Sequence, residues 1–70
     1  MIIDYLKNAT NLTSAEEAIR NSIVSNPSIV ITQTIRELGA SCNVSVASIN
    51  RFCTKIGFQG FSDFKLNFIK

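Results

Sequence analysis

Between Glu37 and Asp63 the chain carries no acidic residue, yet it places Ala47, Ser48, Asn50, Arg51, Thr54 and Lys55 close together there. A hydroxyl pair, an amide, a guanidinium and an ammonium supply hydrogen bonds and positive charge. They make and break no covalent bonds unaided. The sequence has no histidine, no carboxylate pair on one helical face and no glycine-rich phosphate loop. Acid–base, nucleophilic and metal-assisted catalysis therefore have no constellation to run on. What this set can do is hold an anionic partner with readable edges. Asparagine can pair bidentately with adenine, arginine with guanine, and an alanine can meet a thymine methyl, while lysine and threonine suit phosphate.

The residues interleaved with this set position it. Ile49, Phe52, Cys53 and Ile56 recur at helical spacing and predict one buried stripe, which leaves the polar set on the opposite face. Ser45 is placed to cap this helix, Val44 and Ile49 to staple its entry, and Gly57 to stop it in the left-handed region. Upstream, Thr34 and Glu37 form a capping box, and Ile35, Leu38 and Cys42 give a second apolar stripe. Asn43 enters the left-handed region cheaply and turns the chain. Helix, short turn and helix over residues 34–57 is the sequence form of a helix-turn-helix. Thr34 and Ser45, at the two helix starts, can hold phosphates through hydroxyl and backbone N–H groups, or simply cap. Gly39 costs its helix about 1 kcal/mol relative to alanine, which predicts that the two helices cross closely there.

An ordinary αα-hairpin in a bundle shows the same apolar spacing. A solvated helix face, however, mixes acids with bases at i,i+4, and this one does not. The charge of the whole chain points the same way. Residues 1–35 carry Lys7 and Arg20 against Asp4, Glu16 and Glu17, for −1; residues 36–70 carry Arg36, Arg51, Lys55, Lys65 and Lys70 against Glu37 and Asp63, for +3. The basic half is the half with the exposed helix, as contact with phosphates requires.

Seventy residues, 46% of them hydrophobic, make one small folded unit with a thin margin of stability. Ile2, Ile3, Leu6 and Ala9 predict a short amphipathic helix that must dock, either on this core or on a second subunit. Thr13 and Glu16 form another capping box, and Ala15, Ala18, Ile19, Ser22 and Ile23 continue a helix from it. Asn26-Pro27 ends that helix; Pro27–Val30 reads as a short helical segment, with Ile29, Val30 and Ile31 as core plugs. Phe58-Gln59-Gly60 is a tight link with no room for a β-hairpin wing. The last stretch, FSDFKLNFIK, puts Phe61, Phe64 and Phe68 on one side and Leu66 and Ile69 on another. The expected fold is all-α, a small bundle of about five helices.

That final helix is apolar around more of its circumference than one small core can use, and Phe68-Ile69-Lys70 shows no cap. The sequence thus predicts a longer protein beyond residue 70, or a homodimer that covers Leu66 and Ile69. Sedimentation of the isolated domain checks the second option, and a clean monomer at high concentration counts against it. Cys42 and Cys53 lie on inward stripes and read as two buried thiols, and no cofactor or metal is implied. No apolar run is long enough for a signal peptide or membrane span, which predicts a cytoplasmic protein without a membrane partner. The phenylalanines sit at core spacing, not as a stacking platform for single strands.

The segments LTSAEEAI, TIRELGASCNVSVASINRFC and KIGFQGFSDFKL together resemble the N-terminal domain of RpiR-type transcriptional regulators. The resemblance runs from Leu12 to Leu66, and its most distinctive part is Arg51-Phe52-Cys53 followed by Gly57-Phe58 and Gly60-Phe61. Gly39 stands where alanine is usual, Asn43 where glycine is usual, and Val46 where a polar residue is common, so no contact is assigned to Val46. The resemblance implies sequence-specific binding of double-stranded DNA, with residues 46–56 as recognition helix in the major groove. Ala47, Ser48, Asn50 and Arg51 would then face bases, and Thr34, Ser45, Thr54 and Lys55 phosphates, with a salt bridge that braces the turn as the alternative role of Arg51. It also implies a sugar-isomerase-like domain, absent from this sequence, through which a phosphosugar would act. A helical interaction or dimerisation module without DNA binding is the alternative. It would use the apolar face of the last helix and ignore the basic one.

Overall fold

Three hydroxyls set the main helix starts. Thr13, Thr34 and Ser45 each accept the backbone N–H three residues on, at 3.2, 3.1 and 3.1 Å. The Glu16 and Glu37 carboxylates reach back to the N–H of Thr13 and Thr34, both at 2.8 Å, which completes two capping boxes. The computed structural model describes residues 2–69 as six helices: α1 (Ile2–Lys7), α2 (Ser14–Ser25), α3 (Ile29–Thr32), α4 (Ile35–Cys42), α5 (Val46–Lys55) and α6 (Phe61–Ile69). Lys70, at the uncapped end noted in the sequence, lies outside the described residues. Among the described residues there is no strand, and so no wing.

The sixth helix relative to the expected five or so is α3, which starts two residues later than Pro27. Asn26 and Pro27 spend their carbonyls on tight turns to the N–H of Ile29 and Val30, and α-type bonds begin only at Ser28 and Ile29. That shift also corrects the reading of Ile29, Val30 and Ile31 as core plugs. Val30 is fully buried and Ile29 packs on the core, but Ile31 is 47% exposed. A helix can turn only part of an unbroken apolar run inward.

The turn of the helix-turn-helix is built from backbone hydrogen bonds. Asn43 stands at φ 59°, its N–H bonds the Ala40 carbonyl, and the Val44 N–H bonds the Gly39 carbonyl. The same device closes α5, where Gly57 has φ 107°, its N–H bonds the Thr54 carbonyl, and the Phe58 N–H bonds the Cys53 carbonyl. Both are Schellman closures, and in both the residue after the left-handed one, Val44 or Phe58, packs on the core. Gly39 explains itself here. A Cβ at that position would lie 3.0 Å from the Val44 carbonyl oxygen, so the close approach comes from the turn itself.

α5 sits in the middle, packed against α2, α4 and α6, while α1 lies on α2 and α3 on α6. Ile49, Phe52, Cys53 and Ile56 are buried, together with Leu6, Ile19, Ile23, Val30, Leu38, Cys42, Phe61 and Phe64. The short α1 therefore serves the domain's own core: Leu6 is fully buried, and the Tyr5 hydroxyl donates to the Ile56 carbonyl at 2.8 Å. Arg20 closes the other end of α1, its Nη1 reaching the carbonyls of Leu6 and Ala9 at 3.4 Å. Cys42 and Cys53 are free thiols, and burial pushes the Cys53 thiol up to about 12. Of the described helices, none is long and apolar enough to cross a membrane.

Candidate nucleic-acid interface

With one stripe of α5 sunk in the core, its other side carries Ala47, Ser48, Asn50, Arg51, Thr54 and Lys55. All are exposed except Ser48, which is half-buried. Their surroundings divide them into two groups. The first runs from the start of the helix to its last turn. Ser45 Oγ and Ser48 Oγ are 3.0 Å apart, and Arg51 Nη2 donates to Ser48 Oγ at 3.2 Å. Thr54 Oγ1 donates to the Arg51 carbonyl at 2.9 Å, on an exposed part of the helix. Among the described residues Arg51 meets no carboxylate at ion-pair distance, so its charge is available to a partner. A shallow cleft beside it is lined by Thr13, Ala15, Glu16, Ser48 and Arg51. Thr34 is exposed at the start of α4, on the helix before the turn.

The second group is tied inward. Asn50 Oδ1 accepts the N–H of Phe61 at 3.0 Å. Bidentate pairing with adenine needs that carbonyl as acceptor, so the role read from sequence competes for the orientation of an oxygen the fold already uses. Lys55 Nζ lies 2.8 Å from Glu16 Oε1 and 2.6 Å from the Asn11 carbonyl. The phosphate role expected of Lys55 would compete with both. The same ion pair holds the Glu16 carboxyl below its ordinary range, the Lys55 hydrogen bond contributing most and the Thr13 N–H next.

Three positioning groups were not singled out from sequence as partners of this helix. Glu16 stood out only as half of a capping box. Tyr5 and the Asn11 carbonyl gave no local signal, because their partners lie 51 and 44 residues away.

The described residues contain no cluster of three or more metal-ligating side chains. A helix-turn-helix whose second helix is buried on one side and carries polar, basic and acid-free chemistry on the other is the geometry that enters a major groove. The profile of the helix-turn-helix domain of the rpiR family matches residues 2–70. The chain belongs to that family.

An HTH-type transcriptional regulator of Caldanaerobacter subterraneus is 38% identical over 58 residues, which is 83% of this chain and 21% of that protein. The HTH-type transcriptional regulator HexR of Escherichia coli is 33% identical over 57 residues, 81% of this chain and 20% of that one. The crystal structure of the N-terminal domain of ybbH from Bacillus subtilis superposes with a TM-score of 0.82 at 31% identity. It covers 97% of this chain and 80% of that chain. This rpiR-family domain thus spans about a fifth of the length of the regulators it matches. As a helix-turn-helix domain of this family, it is a DNA-binding module for double-stranded DNA.

Proposed function

We propose that this domain reads an operator with α5 in the major groove and delivers control by a phosphosugar bound in a sugar-isomerase-like domain elsewhere in the protein. The observation that carries the DNA half is the pairing of a fully buried stripe, Ile49 and Phe52, with an outward stripe that holds no acid. Ala47, Ser48 and Arg51 face base edges. Thr34, Ser45 and Thr54 lie toward phosphates, the first two while still capping their helices. Asn50 and Lys55, engaged within the domain, are left out of the contact set.

A homodimer suits this reading, because two copies would place two recognition helices on the half-sites of a two-fold operator. Leu66 at 61% exposure and Ile69 at 59% offer an apolar surface for such pairing. Sugar control rests on the resemblance to RpiR-type regulators and on the small share of the relatives' length that this chain spans. The coding sequence after residue 70 decides that part, and a sugar-isomerase-like domain is expected there.

Binding to duplex DNA of random sequence tests the DNA half directly. Fluorescence anisotropy across a range of potassium chloride should show log K falling linearly with log salt, by about 0.9 for each phosphate contacted. Affinity that ignores salt would leave the basic face without a ligand and favour the interaction-module alternative.

A further inference from the structure

Asn50 and Lys55 have the composition of DNA contacts and the geometry of stays. Asn50 projects from the middle of α5 toward the start of α6. Phe61 is the first residue of α6, and its N–H has no intrahelical partner. Asn50 Oδ1 supplies the acceptor from another helix. The link shapes its surroundings: a Cβ on Gly60, which stands at φ 147°, would come within 3.3 Å of Asn50 Oδ1.

Lys55 does the equivalent at the end of α5. Its ammonium joins the capping box at the start of α2, where Glu16 Oε1 already accepts the Thr13 N–H, and adds the Asn11 carbonyl. The Glu16 side chain is only 12% exposed, against 40% for Lys55. A lysine that swung out to a phosphate would leave that carboxylate and the Asn11 carbonyl without their shared donor, and that loss offsets part of the new attraction. A cation already neutralised by a carboxylate also displaces few counterions from DNA, so it contributes little to the salt dependence of binding.

We propose that Asn50 and Lys55 are positioning residues, which lash the recognition helix to α6 and to the start of α2 and fix the angle at which Ala47, Ser48 and Arg51 meet a duplex. The inference rests on the DNA-binding reading for its purpose, but the two lashings are testable without DNA.

The experiment combines thermal melting with salt-dependent binding to random duplex DNA for Lys55→Gln, Glu16→Gln, the double variant, Asn50→Ala and Asn50→Asp. Each single change at 55 or 16 should lower Tm by a few degrees, and the double variant should melt no lower than the worse single one. Asn50→Ala should lower Tm by about 5 °C, whereas Asn50→Asp, which keeps an acceptor at a helix start, should restore most of it. In binding, Lys55→Gln and Asn50→Ala should weaken affinity while leaving the salt slope of the parent intact. A slope shallower by about one unit in Lys55→Gln overturns the assignment for Lys55, as do additive or absent melting shifts. Asn50→Ala melting with the parent overturns it for Asn50. A parent protein that shows no salt-dependent binding removes the DNA reading, and the melting cycle still decides the lashings.

Discussion

Phe52→Ala is expected to lower the melting temperature by roughly 15–30 °C, enough to leave little folded domain at physiological temperature. Phe52 is fully buried on the central helix α5, and its ring meets that of Phe64 edge-on with centroids 6.5 Å apart. Phe64 in turn contacts Phe58 at 5.3 Å and Phe68 at 5.1 Å, so one deletion loosens the anchor of the whole aromatic group. Truncating a buried phenylalanine costs about 3–5 kcal/mol, and an edge-to-face pair adds about 0.5–1.5. A 70-residue domain at about 0.05–0.15 kcal/mol per residue holds only about 4–10 in total. The deletion therefore consumes from about a third of the stability to all of it. Phe52→Leu, which refills most of the volume, should melt far closer to the parent. Circular dichroism on heating checks both. A Phe52→Ala protein melting within about 5 °C of the parent would mean that α5 is not the keystone of this core.

The features legible in the sequence are those whose partners lie within about five residues. Capping boxes at Thr13 and Thr34, the cap at Ser45 and the left-handed exits at Asn43 and Gly57 all satisfy backbone groups of their own helix ends. Residue type and spacing are enough to read them. Face assignment along α5 is equally local, because 3.6 residues per turn separates Ile49, Phe52 and Ile56 from Ser48 and Arg51 without reference to anything else. Ile31 marks the limit of that logic: in an unbroken apolar run the period is invisible, and only packing reveals which residue is left outside. Asn50 and Lys55 mark another. Their exposure is legible, but Phe61, Glu16 and Asn11 approach them from 11, 39 and 44 residues away. An acid-free stretch in the chain is therefore not an acid-free surface in space, since α2 brings Glu16 to the end of α5. Glu16 also lines the cleft beside Arg51 but makes its ion pair with Lys55, which makes Arg51 the residue on which the DNA reading is best tested.

Arg51→Ala should leave the fold nearly untouched and remove a large part of the affinity for DNA. The guanidinium is exposed and its hydrogen bond is to Ser48 Oγ, so its loss should change stability by no more than about 0.5 kcal/mol. Among the described residues no carboxylate lies at ion-pair distance from it, so its positive charge is not neutralised within the domain. Removal should flatten the salt slope by about one unit on any duplex. If the side chain also reads a guanine, the cost at that one base pair is about 1–3 kcal/mol, or roughly 5- to 150-fold in affinity. Arg51→Lys separates the two contributions. An ammonium restores the charge, and with it the slope, but it cannot reproduce the planar two-pronged contact, so discrimination at that base pair stays lost. The parallel stability measurement decides a third role. An Arg51→Ala protein that melts several degrees lower, with an unchanged salt slope, would make Arg51 a brace of the turn through Ser48. The contact with DNA would then fall to backbone and hydroxyl groups alone.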